Sequence, residues 1–155
     1  AAQGFLKLAS SRSPYNVSYV MRISQKGMKN TINHQDLKST EKYLIGSYDL
    51  EIFTLPRTYK EIEIKERQTT IVDVPAAGTV DIKWGALSVG QIFAQISENK
   101  YEWVCNIDAS LSRQKWNLQP GKYKLIYRGK KKYSTSYTNE ELFTIKSNNT
   151  IYLTL

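Results

Sequence analysis

Two stretches of the chain open in the same way. Gly46-Ser47-Tyr48-Asp49-Leu50 and Gly121-Lys122-Tyr123-Lys124-Leu125 share the spacing Gly-x-Tyr-x-Leu, and the Pro120-Gly121 turn launches the second. Alternate residues of a strand share a face, so the Tyr and Leu of each stretch point the same way. Further matches follow in the same order in both halves. Leu6-Lys7-Leu8 pairs with Val80-Asp81-Ile82, Ile62-Glu63-Ile64-Lys65 with Phe143-Thr144-Ile145-Lys146, and residues 69–74 with residues 150–155. The spacing drifts from 74 residues (Leu6 to Val80) to 81 (Thr69 to Thr150), a change that connections between strands absorb cheaply. A repeat constrains architecture before any single motif does. The expectation is one small β domain used twice, over residues 1–74 and 75–155, joined at Val74-Pro75-Ala76.

The rest of the chain reads mostly as short strands. Phe5-Leu6-Lys7-Leu8 is a strand and Ser10-Ser11-Arg12-Ser13-Pro14 a loop. Residues 17–23 alternate, with Tyr19, Met21 and Ile23 on one face. Residues 28–43 are polar and poorly periodic, which predicts one irregular strand plus a loop. Tyr48, Leu50 and Ile52 face inward. Ile62-Glu63-Ile64-Lys65 and residues 70–74 flank a turn at Glu66-Arg67-Gln68, so a hairpin-like pair is expected. Residues 101–105 form a strand, with Tyr101, Trp103 and Cys105 on the core side.

The run Leu118-Gln119-Pro120-Gly121-Lys122-Tyr123-Lys124-Leu125, ending in the strand Thr150-Ile151-Tyr152-Leu153-Thr154-Leu155, resembles the prealbumin-like and carboxypeptidase-regulatory-like sandwiches. Residues 48–56, with Ile62-Glu63-Ile64-Lys65 and Gln68-Thr69-Thr70, are similar to accessory β domains of bacterial von Willebrand factor A domain proteins. The resemblance implies an all-β chain of two tandem Ig-like or prealbumin-like Greek-key β-sandwich domains, with about seven short strands in each. It also implies an exported bacterial protein: extracellular, periplasmic or in the cell envelope. Ala1-Ala2-Gln3-Gly4 echoes Ala76-Ala77-Gly78, which predicts a further domain upstream in the same chain. The metal-coordinating Asp-x-Ser-x-Ser motif of the A domain is absent, so the resemblance carries over no metal, cofactor or catalytic residue.

Net charge is +8, spread over both halves: 11 basic and 8 acidic side chains in residues 1–74, 11 and 6 in residues 75–155. A diffuse excess is the mark of a solvated surface rather than a nucleic-acid footprint. Cys105 is the only cysteine, so no internal disulfide forms. His34 is the only histidine and stands in the polar stretch Asn33-His34-Gln35-Asp36, where it reads as a surface residue. Neither supplies a nucleophile, base and orienting group together. Glu140-Glu141 and the Glu61/Glu63 pair sit at turn or outward positions, and nothing sets two carboxylates across a cleft. No apolar run is long enough to span a membrane. The chain is read as non-enzymatic, with a protein as its partner.

One local concentration stands out. Tyr127, Arg128, Lys130, Lys131, Lys132 and Tyr133, with Tyr137 nearby, set four cations around Gly129 between aromatics. Such a turn can dock sulfate, phosphate or carboxylate groups, making an anionic glycan the second partner reading; nucleic acid is disfavoured. The plainer reading is a charged tip that discourages edge-to-edge pairing. Trp84, Trp103 and Trp116 could stack sugars, but a buried Trp more often packs a core, and packing is expected for Trp84 and Trp116.

Overall fold

Apolar residues at alternate positions make each strand buried on one side, so the chain closes on itself as paired sheets. A computed structural model describes residues 2–9, 21–36, 39–130 and 138–155, with only the backbone of Met21 and Arg22. Two compact units divide between Ala76 and Ala77. Among the described residues every regular element is a strand.

The N-terminal unit has strands β1 (Gln3–Ala9), β2 (Met21–Gln25), β3 (Asn33–Gln35), β4 (Thr40–Leu44), β5 (Gly46–Ile52), β6 (Thr58–Ile64) and β7 (Thr69–Asp73). They form one sheet in the order β4-β1-β7 and another in the order β3-β2-β5-β6. The C-terminal unit has β8 (Gly78–Lys83), β9 (Ser88–Ser97), β10 (Lys100–Asn106), β11 (Arg113–Leu118), β12 (Gly121–Gly129), β13 (Asn139–Ile145) and β14 (Thr150–Thr154). Its sheets run β11-β8-β14 and β10-β9-β12-β13. Strand for strand, the two orders are the same. Each unit also sets its last strand parallel to its first, β7 beside β1 and β14 beside β8, while the other pairings are antiparallel. Each is an all-β sandwich.

The cores draw alternate residues from both sheets. Leu6, Leu8, Ile23, Leu50, Ile52 and Ile64 are at most 2% exposed in the first unit. Val80, Ile82, Ile92, Leu118, Leu125 and Ile145 match that in the second. Tyr48 and Tyr123 are buried as well, and each hydroxyl donates to the carbonyl four residues back: Leu44 at 2.7 Å and Gln119 at 2.5 Å. That bond ties the start of β5 or β12 to the end of the strand in the opposite sheet, in the manner of a tyrosine corner. Gly46 and Gly121 sit between, at φ 152° and 153°, a region L side chains rarely enter. A Cβ on Gly4 or Gly78 would lie 2.1 or 2.3 Å from the carbonyl oxygen of Lys65 or Lys146, so only glycine lets these backbones approach.

Three expectations are corrected. Residues 28–43 hold two strands, β3 and β4, in different sheets; their periodicity is hidden because β3 spans three residues and buries only Gln35. Gln35 is 1% exposed and acts as a polar core residue. Its Nε2 donates to the carbonyls of Leu6 and Ser39, and its Oε1 accepts from the Tyr43 hydroxyl. Next, β6 and β7 are not a hairpin. β6 pairs with β5, whereas β7 crosses to the other sheet and pairs with β1, turning at Arg67 with φ 57°. Asn148 makes the same turn before β14 with φ 63°. A hairpin and a sheet-to-sheet crossing share one sequence pattern, two alternating runs around a short polar turn. Lastly, Tyr101 and Trp103 share the outward face of β10, with Trp103 57% exposed, and a register shift between Trp103 and Cys105 sets the half-buried Cys105 opposite the buried Ile92, off that face. Tyr19 lies outside the described residues.

Candidate binding surface

The basic turn begins where β12 ends. Tyr127 and Arg128 are the last side chains of that strand, and the Lys130 amide donates to the Leu87 carbonyl at 2.8 Å. Lys131, Lys132, Tyr133 and Tyr137 lie outside the described residues. The two units differ in length at this point. Paired residues Tyr48 and Ile62 stand 14 positions apart, whereas their counterparts Tyr123 and Phe143 stand 20 apart. The extra length falls between β12 and β13, so the cation run occupies a connection longer than the one between β5 and β6.

A concavity of about 470 Å³ adjoins Arg128, lined among others by Gln91, Asn106, Ile126, Tyr127 and Thr138. This lies within the usual range of ligand-sized clefts, about 300–1,000 Å³. Tyr127 packs its ring against Trp84 at 5.1 Å, and burial, with the nearby Glu141 carboxylate, raises its hydroxyl pKa. Trp84 is buried as expected, with an indole N–H that has no hydrogen-bond partner among the described residues. Trp116 is half-buried and donates to Gln114 Oε1 at 2.9 Å.

Beyond the turn, the outer face of β10-β9-β12-β13 carries a row that sequence reading passed over. Register places Trp103, Phe93, Lys124 and Leu142 side by side across the four strands. Trp103 donates from Nε1 to Asn106 Oδ1 at 3.0 Å, and the Lys124 ammonium sits 4.0 Å from the centre of the Tyr101 ring. Asn106, Gln91, Ile126 and Glu140 form the next row. The signal was present in the alternation of β9 and β12, whose outward positions hold Phe93 and Lys124. It was obscured in β10, where a register shift takes Cys105 off the face that Tyr101 and Trp103 share.

The remaining titratable groups separate rather than converge. His34 is exposed on β3, with its ring 6.4 Å from Phe53. Burial pushes the Cys105 thiol up to about 11, which keeps it protonated and a poor nucleophile at neutral pH. Asp81 is held below the ordinary carboxylate range by a two-pronged hydrogen bond from Arg113, at 3.1 and 2.9 Å. Asp108 is lowered by the Ser110 hydroxyl and amide. Glu140 lies 3.8 Å from Lys124, and Glu61 lies 3.4 Å from Lys26. Among the described residues no three His, Cys, Asp or Glu side chains gather as metal ligands.

No family model matches the chain, and no curated protein does. Among solved structures it is similar to the TIE protein of Bacillus anthracis at 18% identity, over 99% of this chain and 33% of that one, with a TM-score of 0.39. It is similar to GBS52, the minor pilin of Streptococcus agalactiae, at 10% identity over 100% and 94% of the two chains, with a TM-score of 0.46. A streptococcal ancillary pilin follows at 11% identity, 99% and 62% coverage and a TM-score of 0.37. The chain thus spans about a third of the length of the TIE protein.

Proposed function

We propose that the chain is a non-catalytic tandem β-sandwich accessory module, two copies of one domain over residues 1–74 and 75–155. In this reading it belongs to a larger exported or envelope-associated bacterial protein and serves as a spacer or protein-interaction unit. The observation that supports it is the doubling itself. The same strand order recurs with the same special positions: Gly4 and Gly78, Gly46 and Gly121, Tyr48 and Tyr123. Serial copies of a self-contained sandwich add length and surface, which is what a spacer needs. The likeness to accessory domains of von Willebrand factor A proteins supplies the exported setting. Single-molecule pulling of the chain tests the reading. Two separate unfolding steps, each releasing roughly 25 nm of chain, are expected, and one cooperative step would overturn it.

A second reading is favoured by the longer β12–β13 connection and the concavity beside it. In it the basic turn at residues 127–133 binds an anionic glycan. Neutralising Lys130, Lys131 and Lys132 together should then shift elution from a heparin column to lower salt, and unchanged elution dismisses the turn.

A further inference from the structure

We propose that β14 pairs with β14 of a second copy of this chain, antiparallel and about a two-fold axis at Tyr152, joining the two β11-β8-β14 sheets into one. The inference gives the protein-interaction reading a partner and is tested apart from it: pulling counts units within one chain, whereas the experiment below counts chains.

Its first support is an edge left open. Among the described residues β14 pairs only with β8. The Leu155 amide donates to the Lys83 carbonyl at 2.8 Å, and the Leu155 carbonyl accepts from the Gly85 amide at 2.7 Å. Successive residues of a parallel strand alternate in the side to which they bond, so Ile151 and Leu153 also turn their N–H and C=O groups to β8. Thr150, Tyr152 and Thr154 then aim theirs away from the sheet. Natural sheets guard such an edge with charge, proline or a covering side chain. The first unit does so on its matching strand, β7: Asp73 is charged, and Lys60 Nζ donates to its carbonyl at 3.4 Å. In the second unit Thr154 stands in the place of Asp73, and Glu141 in that of Lys60. An ionised carboxylate cannot donate, and residues 150–155 contain neither a charge nor a proline.

The second support is what fits that edge. Thr150-Ile151-Tyr152-Leu153-Thr154 has the same chemistry read in either direction. Antiparallel pairing centred on Tyr152 sets Thr150 opposite Thr154 of the second copy, Ile151 opposite its Leu153, and Tyr152 opposite its own counterpart. The residues with outward backbone groups, Thr150, Tyr152 and Thr154, then face one another as hydrogen-bonded pairs, and every one of those groups finds a partner. Like meets like on both faces, Thr and Tyr on the outer one and branched aliphatics on the inner one, with no charges opposed. Leu153 is half-buried where its counterpart Val72 is 6% exposed, so apolar surface remains on the core side for a neighbour to cover. This symmetry favours a second copy over an unrelated strand, because a two-fold contact needs a surface complementary to itself.

The test is sedimentation equilibrium of the whole chain over a concentration series. One strand pair is smaller than a standard interface, so reversible association in the micromolar-to-millimolar range is expected, with the mass rising from 17.8 kDa towards twice that. Tyr152→Lys sets two ammonium groups face to face on the axis and should weaken association by about tenfold or more. Its circular dichroism should match that of the parent, since the side chain is 71% exposed. Ile71→Lys, at the matching place on β7, should leave the mass unchanged. Cross-linking in a Cys105→Ser background reads the register. Tyr152→Cys should form a disulfide-linked dimer under mild oxidation, because facing residues of an antiparallel pair stand within disulfide reach. Thr154→Cys should not, since the two copies of residue 154 lie four positions apart along the paired strands. A chain that stays monomeric into the millimolar range overturns the proposal. So does association that survives Tyr152→Lys, or a disulfide dimer formed by Thr154→Cys in preference to Tyr152→Cys.

Discussion

The two units agree on the inside and differ on the outside. Tyr48, Leu50 and Ile64 of the first occupy the places of Tyr123, Leu125 and Ile145 of the second, all of them buried. On the opposite side of the same strands, Ser24, Asp49 and Glu61 stand where the second unit has Phe93, Lys124 and Leu142. The fold is held by the inward set and the special glycines, which leaves the outward set free to diverge. Divergence is then a guide to function. The acidic side is already answered internally: Glu61 faces Lys26, Glu51 faces Arg57, and Asp49 Oδ2 accepts from the Gly27 amide. The aromatic side leaves Trp103 and Leu142 in solvent.

The comparison can be broken most sharply in the cores. Leu50→Ala and Leu125→Ala should each cost about 2–5 kcal/mol, and by similar amounts, since both side chains are at most 2% exposed. Urea unfolding followed by tryptophan fluorescence and circular dichroism measures both. A large disparity would mean that the two cores are not equivalent. Gly4→Ala and Gly78→Ala should each cost about 3 kcal/mol, because the added carbon meets the carbonyl oxygen of Lys65 or Lys146, which the Gln68 or Asn149 amide of the turn holds in place. Tyr48→Phe and Tyr123→Phe remove only a hydroxyl bonded to one carbonyl, and about 1 kcal/mol apiece is expected.

Alkaline pH should separate the units. Burial raises the Cys105 thiol from an ordinary 9.0 to about 11, and the Tyr43 hydroxyl from 10.0 to about 12. A raised folded value means that the protonated form is favoured by folding. That contribution is complete below the unfolded value and lost as pH climbs through the folded one. The C-terminal unit should therefore weaken first, between about 9 and 11, and the N-terminal unit between about 10 and 12. Cys105→Ser should delay the first loss in a pH titration followed by near-ultraviolet circular dichroism.

Much of the fold was legible because the inward positions of long strands obey a period of two. Leu6, Leu8, Tyr48, Leu50, Ile52, Tyr123 and Leu125 all follow it and all are buried. Legibility failed where the chain changes sheet. The turn at Arg67 carries β7 away from β6, and no local pattern distinguishes that crossing from a hairpin. It failed again at β3, whose buried residue is Gln35, a polar side chain satisfied by two carbonyls and a hydroxyl from residues both near and far in sequence. The outer face was partly hidden for a related reason. A register shift in β10 turns Cys105 away from the face that Tyr101 and Trp103 share, so that face is the outer one, although strict alternation had set all three residues on the core side. Of the basic turn, Tyr127 and Arg128 line a concavity that the sequence did not foretell, since pairing of β9 with β12 brings its walls together.

The most direct test exchanges the outer row while leaving the inner one alone. A triple variant, Phe93→Ser with Lys124→Asp and Leu142→Glu, gives the C-terminal unit the outward chemistry of the N-terminal one. Native-state hydrogen exchange should show the Tyr123 and Leu125 amides still protected, with a stability change of about 1 kcal/mol or less. Loss of protection along β12 would show that the aromatic row holds the sandwich together, and would contradict the division between an inside that folds and an outside free to diverge.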